Sequence, residues 1–242
     1  MQFSLHALTG LLLVRFLRYF KKWDKNVLSS TALTVFYGSL AADLDVYIQG
    51  IVFFFNAEAS HAYHRSFTHS IVILLVAFIA SLLIWKRRKI PVCGFFAAYA
   101  LHLLSDIFFW FASIDLFWPL TIVPPIDIWK NIDYPAELRY FTRSFEFIFA
   151  SVFFFILFKL RSKSFKESLT VPIIAALHLL YGLALILMHF TLSSSVVFIF
   201  VFAPLLLLTA PLTYYYSWKW KQVLYNLACP PKAFYAVDDN KT

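Results

Sequence analysis

Apolar residues in this chain fall in long unbroken runs, and the length of those runs says more than any period inside them. Seven can be drawn: roughly Leu5–Phe20, Leu28–Phe55 (interrupted by Asp43 and Asp45), Ser70–Trp85, Pro91–Ser113, Phe145–Leu160, Thr170–Phe190 and Ser195–Trp218. Each predicts a helix. Several are short for crossing about 30 Å of hydrocarbon, which takes about 20 residues. The pattern as a whole predicts an all-α, polytopic transmembrane helix bundle of about seven segments. No internal repeat or low-complexity tract interrupts it.

Composition agrees with the pattern. Of 242 residues, 61% are hydrophobic and 14% charged, whereas a soluble domain is nearer half apolar and a quarter charged. The first run carries Arg15 and Arg18 and no small-residue cleavage site follows it, so it is expected to stay rather than be removed as a signal peptide. The net charge of +8 does not point to nucleic acid, because the basic residues sit in short clusters between apolar runs. Cys93 and Cys229 lack CxxC spacing and are expected to form neither a disulfide nor a metal site.

The basic clusters set an orientation. They are Arg15/Arg18/Lys21/Lys22/Lys25, Lys86-Arg87-Arg88-Lys89, Lys159/Arg161/Lys163/Lys166 and Lys219/Lys221. They follow the first, third, fifth and seventh runs, so all lie on one side, which the positive-inside rule makes cytoplasmic. The C-terminus is then cytoplasmic. The 43–69 connection and the long 114–142 connection face outside, and the expected location is a bacterial inner (plasma) membrane.

The remaining polar residues sort to the other side. His6 begins the first run. Asp43 and Asp45 lie in the outer half of the second, and His61, His64 and His69 follow it. His102 and Asp106 lie toward the outer end of the fourth, and Glu146 opens the fifth. Ionisable residues are expensive at membrane depth and usually functional there. His102-Leu-Leu-Ser-Asp106 puts an imidazole and a carboxylate on one helix face about 6 Å apart, suited to a metal ion or to a structural pair. Asp43-Leu-Asp45 reads as helix termination or as a pair of ligands, since two carboxylates this close repel without a cation. In His64-Arg65-Ser66-Phe67-Thr68-His69-Ser70, Thr68 or Ser66 is expected to N-cap the following helix. His64 and His69 are candidate metal ligands there. Arg65 offers a bidentate partner for phosphate. His61 reads as surface, and His178 and His189 as structural.

HRSFTHS, the upstream DLD, the downstream HLLSD and Trp118-Pro119-Leu120 together resemble the YdjM-like family of predicted membrane-bound metal-dependent hydrolases. That family in turn resembles the core of zinc-dependent phospholipase C. The resemblance extends over roughly Met1 to Phe147, leaving the last two helices unmatched. It divides the chain into a metal-site core, 1–147, and additional C-terminal helices of the same membrane domain, 148–242. The family pattern also has an early His, which His6 matches, and a Glu near the next helix start, which Glu146 matches. Ala42, Tyr63 and Phe109 depart from the family's Pro, Gly and Thr. The resemblance implies that Asp106 bridges two metals. One would be held with Asp43 or Asp45, His64 or His69, and His102, and the other with His6. Imidazole and carboxylate ligands suit Zn²⁺, with Mn²⁺ an option, and one or two ions are expected. The implied activity is metal-dependent hydrolysis of a phosphoester in a lipid or lipid-linked substrate at the outer face, with Arg65, Asp106 and Glu146 as catalytic residues. Two other readings compete: an ion- or proton-coupled transporter, and a non-catalytic protein with a structural metal.

Overall fold

The computed structural model describes residues 3–19, 23–45, 66–109, 114–120, 124–126, 136–160, 170–189, 203–219 and 221–228, with positions 48, 52 and 55. Among them run eight α-helices: α1 (Phe3–Phe16), α2 (Lys25–Ala41), α3 (Ile71–Ile84), α4 (Lys89–Phe109), α5 (Ala136–Leu160), α6 (Thr170–His189), α7 (Ala203–Lys219) and α8 (Lys221–Ala228). The described residues hold no strand, only one isolated bridge between Ile114 and Ile126.

Two helix starts explain themselves locally. The Asp24 side chain accepts a hydrogen bond from the Asn26 amide and caps α2. Ser70 caps α3, its Oγ accepting from the amides of Val72 and Ile73. The expected cap, Thr68 or Ser66, is therefore displaced by a few residues, and the Thr68 hydroxyl is used elsewhere. The loop at 114–120 docks on this same end of α3. Ile71 donates to the Leu116 carbonyl and Ser70 Oγ donates to the Trp118 carbonyl. The Trp118–Pro119 bond there is cis.

Among the described residues, three stretches are long and apolar enough to cross a membrane, by length and composition: Lys25–Leu44, Lys86–Phe108 and Thr170–Met188. Phe3–Phe16 and Ile71–Ile84 are apolar but shorter, and 14 residues of helix cover only about 21 Å. The fifth segment begins earlier than its apolar run. α5 starts at Ala136, not near Phe145, because Glu137, Arg139 and Arg143 are helical without being hydrophobic. Glu146 therefore sits nearly three turns inside α5 instead of opening it. The second run likewise ends its α-helix at Ala41, and a 3₁₀ turn, Ala42–Leu44, follows.

α2 packs along α4 and α1, and α5 along α6. The α2–α4 approach is close enough that a Cβ on Gly38 would stand 2.3 Å from the Phe95 carbonyl oxygen. One apolar core, including Phe3, Phe36, Phe153, Phe154, Leu157 and Leu224, joins α1 and α2 to α5, α7 and α8. α8 is amphipathic and tucks Val223, Leu224 and Ala228 against α1 and α2. α3 buries only Leu74 and exposes Leu75, Val76, Ile79, Leu83 and Ile84. Such a face is a liability in water and is the ordinary outer surface of a helix in lipid.

Candidate metal centre

Four elements meet at one end of the bundle. α1 contributes His6 near its start, and the 3₁₀ turn after α2 contributes Asp43 and Asp45. The turn before α3 contributes His69, and the second half of α4 contributes His102 and Asp106. All six side chains are buried. Of the basic residues in described helices and turns, Arg15, Lys25, Lys86 to Lys89, Lys159, Lys219 and Lys221 lie at the opposite helix ends, while Arg139 and Arg143 belong to the first turns of α5.

Asp106 is the hub. Its Oδ1 is 2.9 Å from His6 Nε2, and its Oδ2 is 3.1 Å from His69 Nε2 and 3.7 Å from His102 Nε2. Asp43 Oδ1 lies 3.8 Å from His102 Nε2 and 4.0 Å from His69 Nε2. Asp43, His69, His102 and Asp106 each offer one ligand atom, all within 4.8 Å of one another, and could hold a metal ion. The His6 ring stacks on His102 with centroids 3.6 Å apart.

The far sides of the rings fix which nitrogen carries hydrogen. His102 Nδ1 is 2.7 Å from the Ser39 carbonyl, which can only accept, so Nδ1 is the N–H. Ser105 Oγ spends its single proton on the His102 carbonyl at 2.8 Å, so at 3.2 Å from His6 Nδ1 it can only accept as well. Thr68 Oγ1 gives its proton to Asp45 Oδ2 at 2.6 Å and lies 3.1 Å from His69 Nδ1, again as acceptor. Each ring therefore holds its hydrogen at Nδ1 and turns the Nε2 lone pair toward carboxylate oxygen. A lone pair facing an anion in a buried site is repulsive unless a cation lies between. His102 Nε2 and Asp43 Oδ2, both buried, make no hydrogen bond among the described residues. Carboxylate and imidazole donors on one small volume are the donor set of Zn²⁺ and its neighbours, so the residues present fit a divalent ion.

His69, just ahead of α3, shows the same tension. Burial works to lower its pKa, but hydrogen bonds with Asp106 and Asp45 and the charges of Asp106 and Asp43 outweigh burial and lift it to about 9. A proton on His69 is thus favoured in the place that a cation would take.

The expected residues are not all brought together. Asp43 faces the cluster, whereas Asp45 lies behind His69, 3.6 Å from Nδ1, in the place of a partner to a ligand rather than of a ligand. Glu146 Oε1 accepts from Ser4 N and Ser4 Oγ, both at 2.8 Å, at the first turn of α1, while its Oε2 is buried without a hydrogen bond among the described residues. His61, His64 and Arg65 lie outside the described residues. His178 is bound to the Ile174 carbonyl and Thr209 Oγ1 between α6 and α7, in keeping with a structural role. The side chain of His189 is outside the described set. Sequence reasoning gave Thr68 only a capping role and missed Ser39, Ser105 and Tyr99. Two carried a signal: Ser105 lies inside the HLLSD motif, and Tyr99 precedes His102 by one turn on the same helix.

Among known families, the one described as YdjM inner membrane protein matches residues 1–221. The match runs well past Phe147 and takes in the helices that the sequence motifs left unmatched. No curated protein and no solved structure matches the chain.

Proposed function

The chain belongs to the YdjM inner membrane protein family, and from that premise we propose that it is a membrane-embedded, metal-dependent hydrolase of phosphoester bonds. The observation that supports it most is the convergence of the Nε2 atoms of His6, His69 and His102 on the Asp106 and Asp43 carboxylates, with every Nδ1 tied back to an oxygen. His69, His102, Asp43 and Asp106 would hold the ion, and the second oxygen of Asp106 would serve His6. A divalent ion in this place would supply Lewis acidity toward a phosphoryl oxygen and acidify a water into the neutral range. The chain's own part is to fix the donors, exclude bulk water from a buried site and present positive charge to the substrate. Arg65 takes the last task in this reading, because a guanidinium cannot ligate a metal but pairs bidentately with phosphate. A substrate headgroup at the outer face of the inner membrane follows from the basic clusters at the opposite helix ends.

One observation favours a second reading, a metal that only fastens the fold: the donors come from four separate segments. Purified protein assayed with a p-nitrophenyl phosphodiester and with a short-chain phospholipid separates the two. Turnover abolished by a chelator and restored by zinc is the expected result. Arg65→Ala should keep the metal and lose turnover by roughly 10²–10³-fold, and Arg65→Lys should recover only part. Unfolding on metal removal from a protein with no turnover on either substrate would leave the fastening role alone.

A further inference from the structure

We propose that Thr68, with Asp45 and Tyr99 bonded on either side of it, is the positioning residue that presents His69 Nε2 to the ion; this rests on the metal reading above. Thr68 is available for the task because Ser70, not Thr68, caps α3. Its hydroxyl has one proton and gives it to Asp45 Oδ2 at 2.6 Å. The same oxygen, 3.1 Å from His69 Nδ1, is left with lone pairs only. His69 must then keep its hydrogen on Nδ1 and offer a bare Nε2 on the opposite edge of the ring, 3.1 Å from Asp106 Oδ2. Asp45 Oδ2, 3.6 Å from the same Nδ1, adds negative charge behind the imidazole and strengthens it as a donor.

The Thr68 backbone does a second job. Its carbonyl accepts the Tyr99 hydroxyl proton. Tyr99 stands on α4 one turn before His102, so the turn that carries His69 is fastened to the helix that carries His102 and Asp106. One threonine thus sets the tautomer of His69 through its side chain and the position of His69 through its main chain. Neither effect requires Thr68 to touch the ion or the substrate.

The test is zinc affinity of the purified full chain in detergent, by competition with a chromophoric chelator, for Thr68→Val, Thr68→Ser and Tyr99→Phe. Valine keeps the shape and removes the hydroxyl, and should weaken zinc by roughly 10–100-fold, the usual effect of losing a partner behind a ligand. Serine keeps the hydroxyl and should restore affinity close to wild type. Tyr99→Phe should fall between, and carries the test if the valine variant does not fold. The Co²⁺-loaded absorption spectrum should change for valine and not for serine, since only valine frees the His69 tautomer. Wild-type affinity in Thr68→Val and Tyr99→Phe would overturn the inference, as would a serine variant as weak as valine, which would trace the effect to packing. A wild-type chain that takes up neither Zn²⁺ nor Co²⁺ would instead overturn the metal reading itself, and this inference with it.

Discussion

Gly38→Ala should damage the metal centre from a distance, although Gly38 holds no ligand atom. A Cβ built there would stand 2.3 Å from the Phe95 carbonyl oxygen and 3.0 Å from its carbonyl carbon and Cα, all of them backbone. Ordinary Cβ contacts begin near 3.4 Å, so α2 and α4 must separate by roughly 1 Å where they cross, because backbone cannot swing aside as a side chain can. Ser39, the next residue, accepts the His102 Nδ1–H at 2.7 Å. Stretching that bond by roughly 1 Å takes it past hydrogen-bond range. Overpacking costs about 1–3 kcal/mol, and the lost hydrogen bond about 1 kcal/mol more. With its Nδ1–H unheld, His102 should bind zinc about 10–100-fold more weakly. Gly10→Ala is the control. Its Cβ would meet Ser39 Oγ at 2.3 Å, a small hydroxyl that can turn, and Phe36 Cδ2 at 3.1 Å, with the backbone oxygen of Phe36 no nearer than 3.4 Å, so its effect on zinc should be smaller. Thermal unfolding and zinc competition on both variants decide it. Gly38→Ala with wild-type affinity, or with a loss no greater than Gly10→Ala, would refute the reasoning.

Three further outcomes are expected. His102→Ala and Asp106→Ala should lose most bound metal, His6→Ala less of it, and His178→Ala almost none, measured as metal per chain after gel filtration; equal metal in all four would remove the ligand assignment. The His69 pKa of about 9 in the metal-free protein lies above its ordinary 6.5, so His69 stabilises the metal-free fold fully below pH 6.5 and loses that contribution as pH rises through 9. Zinc must displace the same proton, so its affinity should climb by about tenfold per pH unit between those values, with proton release detectable calorimetrically in buffers of different ionisation enthalpy. A reporter fused after Thr242 should read cytoplasmic and one inserted in the 114–142 connection should read outside; the reverse would place the metal centre on the cytoplasmic face.

What the sequence made legible were features with a fixed spacing. His102 and Asp106 are one helical turn apart, and a helix can only put them on one face. The structure has them converge, 3.7 Å between Nε2 and Oδ2. Asp43 and Asp45 were legible as a pair but not as individuals, because the 3₁₀ turn that separates their directions leaves no mark in a run of alanine and leucine. Thr68 was misread as a cap because Thr68, Ser66 and Ser70 are interchangeable candidates until the first helical residue is known. Glu146 was misplaced because hydropathy marks where a helix becomes apolar, not where it begins, and the polar first turns of α5 precede it. α8 went unseen for a related reason: eight residues with one apolar face make no run. The Ser39 carbonyl could not have been found at all, since every residue has a carbonyl and only packing selects one.

The same packing explains why the centre tolerates so much negative charge. Asp43, Asp45, Asp106 and Glu146 are the buried acids among the described residues, and three of them touch the imidazoles. An uncompensated carboxylate in a low-dielectric interior costs several kcal/mol. The arrangement meets that cost in two ways. Asp45 takes a hydroxyl proton from Thr68 and faces the N–H edge of His69, while Glu146 takes the amide and hydroxyl of Ser4 at the positive end of α1. Asp45 is compensated by the chain itself, and Glu146 at one oxygen only, since its Oε2 is buried without a hydrogen bond among the described residues. Asp43 and Asp106 instead face imidazole nitrogens whose hydrogens point the other way. Two formal negative charges turned toward three lone pairs would be balanced by one doubly charged cation. It is this difference within one cluster of acids, rather than the presence of histidine beside aspartate, that favours Asp43 and Asp106 as the ligands of the proposed centre and Asp45 as its support.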